Sequence, residues 1–156
     1  MTEDQALGAL RDDDRARVAR AEAALWAMWC RSGRRELDAL LAEGVEALER
    51  RDFDAAITRF TRLVEATPEW AEAWNKRATA RYLAGDYAGA VADCEATLAR
   101  KPHHFGALAG QGLCHLQLEQ YSRAAALFRR ALAVHPHLDA VRQNLRSALA
   151  EVVRYN

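Results

Sequence analysis

Pro68, Pro102 and Pro136 are the only prolines in this 156-residue chain, and they stand 34 residues apart. Five other columns keep the same period: Gly44, Ala78 and Gly112; Phe53, Tyr87 and Tyr121; Ala56, Ala90 and Ala124; Phe60, Cys94 and Phe128; Leu63, Thr97 and Ala131. Within one period, Ala71–His104, the residues Trp74, Ala78 and Tyr82 recur at every fourth position, which is one face of a helix. Gly85-Asp86 interrupts that face. Glycine can take the left-handed conformation that ends a helix, and aspartate can cap the next one. Tyr87, Ala90, Val91, Cys94 and Leu98 then make a second apolar face, which Pro102 stops. A period of this length, with small residues where two helices cross, specifies stacked helical hairpins, because one hairpin alone cannot bury its apolar side. The expected fold is therefore all-α: an α-solenoid with repeats at 37–70, 71–104 and 105–138.

The flanks read as end units. Residues 3–36 have the length of one more, degenerate hairpin, with Thr2 capping a helix over Glu3–Arg11 and the acidic run Asp12-Asp13-Asp14 opening a longer one, about Asp14–Arg31. Shifted by one period, Trp26 falls under Phe60, so this hairpin is expected to cover the first repeat, with Trp26 and Trp29 shielding it. Residues 139–156 read as a capping helix, with Asp139 at its start and Arg142, Arg146, Glu151 and Arg154 facing water. The whole chain suits one domain, 1–156.

Charge and motifs narrow the function classes. Twenty-two basic residues balance 22 acidic ones, which favours neither nucleic acid nor an anionic membrane as partner. Cys30, Cys94 and Cys114 are too few and odd in number for a disulfide framework. The start, MTEDQ, has no basic segment or apolar core of a leader, and no run is apolar enough to span a bilayer, so the expected compartment is the cytoplasm. No CxxC or HExxH spacing marks a metal, and no serine sits on a nucleophile elbow. His103, His104, His135 and His137 flank the repeat prolines and read as polar loop residues. The expectation is no enzyme, no cofactor and no metal.

The repeat pattern resembles the tetratricopeptide repeat (TPR) family over Leu37–Leu138: Leu40, Trp74 and Leu108 in the large place, Gly44, Ala78 and Gly112 four residues on, then the aromatic, Ala-x-x-x-Phe and Pro positions. Two positions depart from it. Glu43, Arg77 and Gln111 stand where an apolar residue is usual, and Ala47, Arg81 and His115 where an aromatic is usual. The phrases Glu72–Thr79 (EAWNKRAT), His104–Leu108 (HFGAL) and the Trp-x-x-Trp helix running to Ser32-Gly33 are similar to small stand-alone bacterial TPR proteins of alphaproteobacterial type, over about residues 14–138. Many of those carry an export signal, which implies a periplasmic location if a leader has been removed. This likeness makes Asn75, Arg77, Thr79, His104 and Phe105 candidates for a role beyond packing.

The resemblance implies a non-enzymatic adaptor whose first helices line a concave, partner-binding groove. The candidate ligand-binding residues are Leu41, Val45 and Leu48 in repeat one, Asn75, Thr79 and Tyr82 in repeat two, and Leu113, Leu116 and Gln117 in repeat three. An apolar middle with acidic residues Asp38, Glu49, Glu72 and Glu151 around it suits an apolar, helical segment with basic flanks. The carboxylate clamp that some relatives use for chaperone tails has no counterpart: Leu41, Val45, Lys76, Gly106 and Gly110 occupy its places. The alternative is a self-assembling structural unit whose groove is filled by its own or a neighbour's terminal helix. The expected state is a monomer or weak homo-oligomer, with a protein or peptide as partner.

Overall fold

A computed structural model describes residues 1–155. Nine α-helices lie within them: α1 (Glu3–Ala9), α2 (Arg15–Trp29), α3 (Arg35–Glu49), α4 (Phe53–Ala66), α5 (Ala71–Leu83), α6 (Tyr87–Arg100), α7 (Phe105–Gln117), α8 (Tyr121–Val134) and α9 (Asp139–Tyr155). The pairs α3–α4, α5–α6 and α7–α8 are the three hairpins, and each hairpin packs on the next through α4–α5, α6–α7 and α8–α9. The expected all-α solenoid is what the chain forms.

Local chemistry explains where the helices begin and end. Thr2 and Gln5 form a reciprocal capping box at α1. Asp14, Asp52 and Asp86 each accept a backbone N–H at the starts of α2, α4 and α6. The turn between the helices of each hairpin is a Schellman motif, with Asp52, Asp86 and Gln120 donating to the carbonyls of Ala47, Arg81 and His115, all at 2.8 Å. That motif needs a left-handed residue, which is Gly85 in repeat two at φ 88° but Arg51 (φ 61°) and Glu119 (φ 58°) in the other two.

The periodic small residues are fixed by steric contact. A methyl added to Gly44 would come within 2.3 Å of the Phe60 ring, and one added to Gly112 within 2.5 Å of the Phe128 ring. Both rings are completely buried. Repeat two pairs Ala78 with Cys94 in the same columns, a larger residue against a smaller one. Apolar clusters accordingly gather at the two ends, around Phe60 and around Phe128 with α9. The middle repeat contributes Ala73 and Ala80 to the first of them, with Trp74 packed against it.

The N-terminal hairpin does not cover the first repeat. Its Trp26 and Trp29 form a third cluster with Ala6, Leu10, Val18, Leu25 and Phe105, against Val134 and Leu138. α1–α2 thus lies along the N-terminal ends of α5, α7 and α9. The residues preceding those helices, Trp70, His104 and Leu138, are one period apart and all touch it. Trp70 Nε1 donates to the Trp29 carbonyl at 2.9 Å, His104 stacks on Trp29 with 4.2 Å between ring centroids, and Leu138 packs in the cluster. The seam is also polar: Lys101 pairs with Glu3 at 2.6 Å, His135 meets Glu22 at 2.8 Å, and Arg11 donates to the Ala133 carbonyl at 3.0 Å. Both tryptophans are covered there by Phe105 and the His104 imidazole. α1 and α2 are also shorter than expected, ending at Ala9 and Trp29.

The two non-glycine left-handed positions store strain that repeat two avoids. Glu119→Gly should stabilise the protein by about 0.5–1 kcal/mol, the relief of a left-handed side chain less the extra freedom of glycine in the unfolded chain. Urea unfolding of the two proteins measures it.

Candidate functional site

The concave side is built from the first helix of each hairpin. Between α5 and α7 it deepens into a cavity of about 250 Å³. Asn75, Thr79 and Tyr82 line it from α5 and Leu113 from α7, four of the nine candidate residues. Thr79 is exposed and Tyr82 half-buried, which puts them at the mouth. Ala78, Cys94 and Cys114 make a floor that is 3%, 2% and 1% exposed. Gly106, Ala109 and Gly110 complete the α7 wall. Of the lining, Gly106 and Gly110 entered the sequence analysis only as clamp positions without side chains, and Cys94 only as part of an apolar helix face. Their signal was present in the columns: Cys94 occupies the Phe60/Phe128 position.

The other candidates lie elsewhere. Leu41 is a core residue, 7% exposed and part of the cluster around Phe60. Val45 and Leu48 pack half-buried against that same cluster, and Leu116 against the one around Phe128. Gln117 is exposed at the end of α7, outside the cavity. The reason is geometric: in a curved stack, positions on the concave face near a neighbouring helix are shared between groove and core, and large aliphatic side chains take the core.

The acidic rim also contracts. Asp38 accepts both the backbone N–H of Ser32 at 2.8 Å and its hydroxyl at 2.5 Å, and these bonds hold its carboxyl below the usual range. Glu72 is wholly inside. Its Oε2 faces His104 Nε2 at 2.8 Å, its Oε1 accepts from Asn75 Nδ2 at 2.9 Å, and Lys76 Nζ lies 3.6 Å away. Burial pushes the Glu72 carboxyl up, but the His104 hydrogen bond and the nearby Lys76 ammonium outweigh it and hold the group below its ordinary value.

His104 is the hinge of this network. Its Nδ1 accepts the Ala107 N–H at 3.0 Å, capping α7, so its ring proton sits on Nε2 and is donated to Glu72. His104 and His135 lie in the loops between helices, as expected, but both are buried, at 0% and 1% exposed. Trp26 flanks the ring and also presses on Gly106, where an added methyl would come within 2.7 Å of it. The hairpin thus packs behind Gly106, a residue of the cavity wall. Lys76, 5.5 Å above the Trp26 ring and paired to Glu72, is not free for a ligand.

Arg77, the other polar candidate, belongs to a separate network between α5 and α6. Its guanidinium grips Asp93 through two bonds of 2.9 Å, and Arg81 adds a third at 2.9 Å. Asp93 is 2% exposed. This explains the departures at Arg77 and Arg81: a bidentate ion pair replaces apolar packing between the two helices. Repeat one has the same columns with the signs exchanged, Glu43 against Arg59 at 3.4 Å. Arg77 and His104 therefore do not form a joint site.

Among the described residues, no group of three or more His, Cys, Asp or Glu side chains is placed to hold a metal, and no helix is long and apolar enough to cross a membrane. Burial and the neighbouring Cys114 thiol push the Cys94 thiol up, so at neutral pH it is a small, uncharged part of the floor.

Stacked helical hairpins with a sculpted concave face define a repeat-type binding module. Tetratricopeptide repeat models match residues 41–104 and 81–149. A TPR repeat-containing protein of Rhizobium etli is 30% identical over 146 residues, covering 94% of this chain and 70% of that protein. The chain belongs to the tetratricopeptide repeat family. Tetratricopeptide repeat protein 36 of Bos taurus is 46% identical over 61 residues, which is 39% of this chain and 32% of that one. In solved structures, the Sgt2 TPR domain from Aspergillus fumigatus superposes with a TM-score of 0.75 at 22% identity, covering 79% of this chain and 83% of that one. The first TPR of Spaghetti (RPAP3), bound to the HSP90 peptide SRMEEVD, does so at 0.73 and 21%, covering 75% and 93%. These show a shared fold.

The Glu72 network gives a pH signature. Because the folded-state pKa of Glu72 lies below its unfolded value, its contribution is complete above that unfolded value, near 4.5, and is lost as pH falls through the folded one. Glu72→Gln should therefore cost on the order of 2 kcal/mol at pH 7, as one charged acceptor is lost and an amide N–H₂ faces Asn75 or His104. The gap to wild type should hold from pH 7 down to about 4.5 and narrow as the pH falls further. Denaturant melts of both proteins at pH 7, 5 and 3.5 measure it.

Proposed function

We propose that this protein is a non-enzymatic adaptor that receives an apolar segment of a partner protein on its concave face, in the cavity between α5 and α7. The observation that carries the reading is the cavity itself: about 250 Å³ with an apolar floor, opening at Thr79 and Tyr82. Exposed apolar concavities of this kind are costly to leave in water and serve as docking sites. The similarity to TPR structures solved with HSP90 and HSP70 peptides supports a peptide as the ligand class.

The ligand differs in chemistry from those acidic tails. Such a tail needs free cations facing the groove, and Leu41 is in the core, Lys76 is held by Glu72, and Gly106 and Gly110 carry no side chain. Basic flanks on the partner lose two of their four expected acidic counterparts, since Glu72 and Asp38 are bonded internally.

The test is affinity capture from an extract of the cells that make the protein, with wild type beside Thr79→Arg/Tyr82→Glu. Both changes sit at the cavity mouth and leave the buried clusters intact. A partner retained by wild type should fall at least tenfold with the double variant, while the peptide SRMEEVD should show no saturable binding to wild type. Equal capture by both proteins would remove the groove reading.

A further inference from the structure

The cavity exists because the middle repeat lacks a ring. Phe60 and Phe128 lie over Gly44 and Gly112, and at the same place repeat two sets Cys94 against Ala78. A thiol and a methyl fill much less space than a phenyl group. On the opposite wall Gly106, Ala109 and Gly110 add nothing larger than a methyl, and a Cβ at Gly110 would still stand 3.8 Å from Cys94 Sγ. The empty space, about 250 Å³, exceeds the roughly 150 Å³ that suffices for an apolar cavity to hold benzene.

Two polar side-chain groups at the walls are already engaged. The Thr79 hydroxyl donates to the Asn75 carbonyl at 3.2 Å and the Asn75 amide to Glu72 at 2.9 Å. Water at the floor would find few partners, whereas the two thiols make favourable contacts with an aromatic ring.

We propose that this cavity is a socket for one phenylalanine side chain of the partner segment, which supplies from outside the ring that this repeat omits. The inference rests on the groove reading above and adds to it the identity of the anchor. The chain itself shows what fits, since rings occupy the same column in the repeats on either side. The floor has no strong acceptor for a hydroxyl or indole N–H, which favours phenylalanine over tyrosine and tryptophan.

The experiment is selection from a random dodecapeptide display library on wild type and on two filled variants. Ala78→Gly/Cys94→Phe rebuilds the internal glycine–ring pair, and Gly110→Leu fills the space from α7. Thermal melts check that each folds, so either can stand in if the other fails. Peptides enriched on wild type should share one phenylalanine. A synthetic consensus peptide should lose at least tenfold in affinity when that residue becomes alanine, and as much again on each folded filled variant.

Consensus peptides without an aromatic position, or with affinities within twofold on the filled variants, would overturn the socket while leaving groove binding intact. Failure to enrich any peptide would remove both. Sedimentation of wild type as a dimer that Gly110→Leu dissociates would assign the socket to a second copy and overturn the partner reading.

Discussion

A phenyl ring seated on a glycine sets how closely the two helices of a hairpin approach, and the rest of this stack is adjusted to it. Where the pair is present, around Phe60 on Gly44 and Phe128 on Gly112, the repeat owns a dense apolar core. Where it is replaced by Ala78 and Cys94, the hairpin still forms but the ring's volume is missing. The solenoid is continuous because the neighbours on both sides hold the middle hairpin in place. That continuity lets a void persist in its wall rather than collapse.

The middle repeat replaces apolar packing with directed interactions. Asp93 is shared by Arg77 and Arg81 between α5 and α6, and Glu72 is shared by His104, Asn75 and Lys76 between α5 and α7. Buried ion pairs contribute little net stability relative to apolar packing, but removing one partner is costly, so they fix geometry more than they add energy. The α1–α2 hairpin completes the arrangement by stacking Trp29 on His104, setting Trp26 edge-on to it and bracing the helix starts. A rigid frame around a cavity favours binding, because little order remains to be imposed when a ligand arrives.

The fold was legible because periodicity is a local property repeated along the chain. The proline, glycine and aromatic columns placed every hairpin, and the capping aspartates Asp14 and Asp86 placed helix starts to within about a residue. The left-handed turns at Arg51 and Glu119 were not visible, since neither residue advertises that conformation as Gly85 does. The position of the N-terminal hairpin was not visible either, because the shift that put Trp26 under Phe60 assumed that it continued the repeat. Its true contacts are long-range, and the bulky column Trp70, His104 and Leu138 was the one sign of them. In the groove, register separated Asn75, Thr79, Tyr82 and Leu113 from Leu41 poorly, because helical phase alone does not tell a groove wall from an inter-repeat core.

The central claim is that the working surface is the concave cavity between α5 and α7. The most direct measurement is a map of backbone amide NMR shifts on titration with a bound partner segment. The account predicts saturable shifts concentrated at Thr79, Tyr82, Gly110 and Leu113, with α4 and α8 unmoved. Shifts centred on α1–α2, on the His103 loop or on α4 and α8, with Thr79 and Gly110 unchanged, would contradict it.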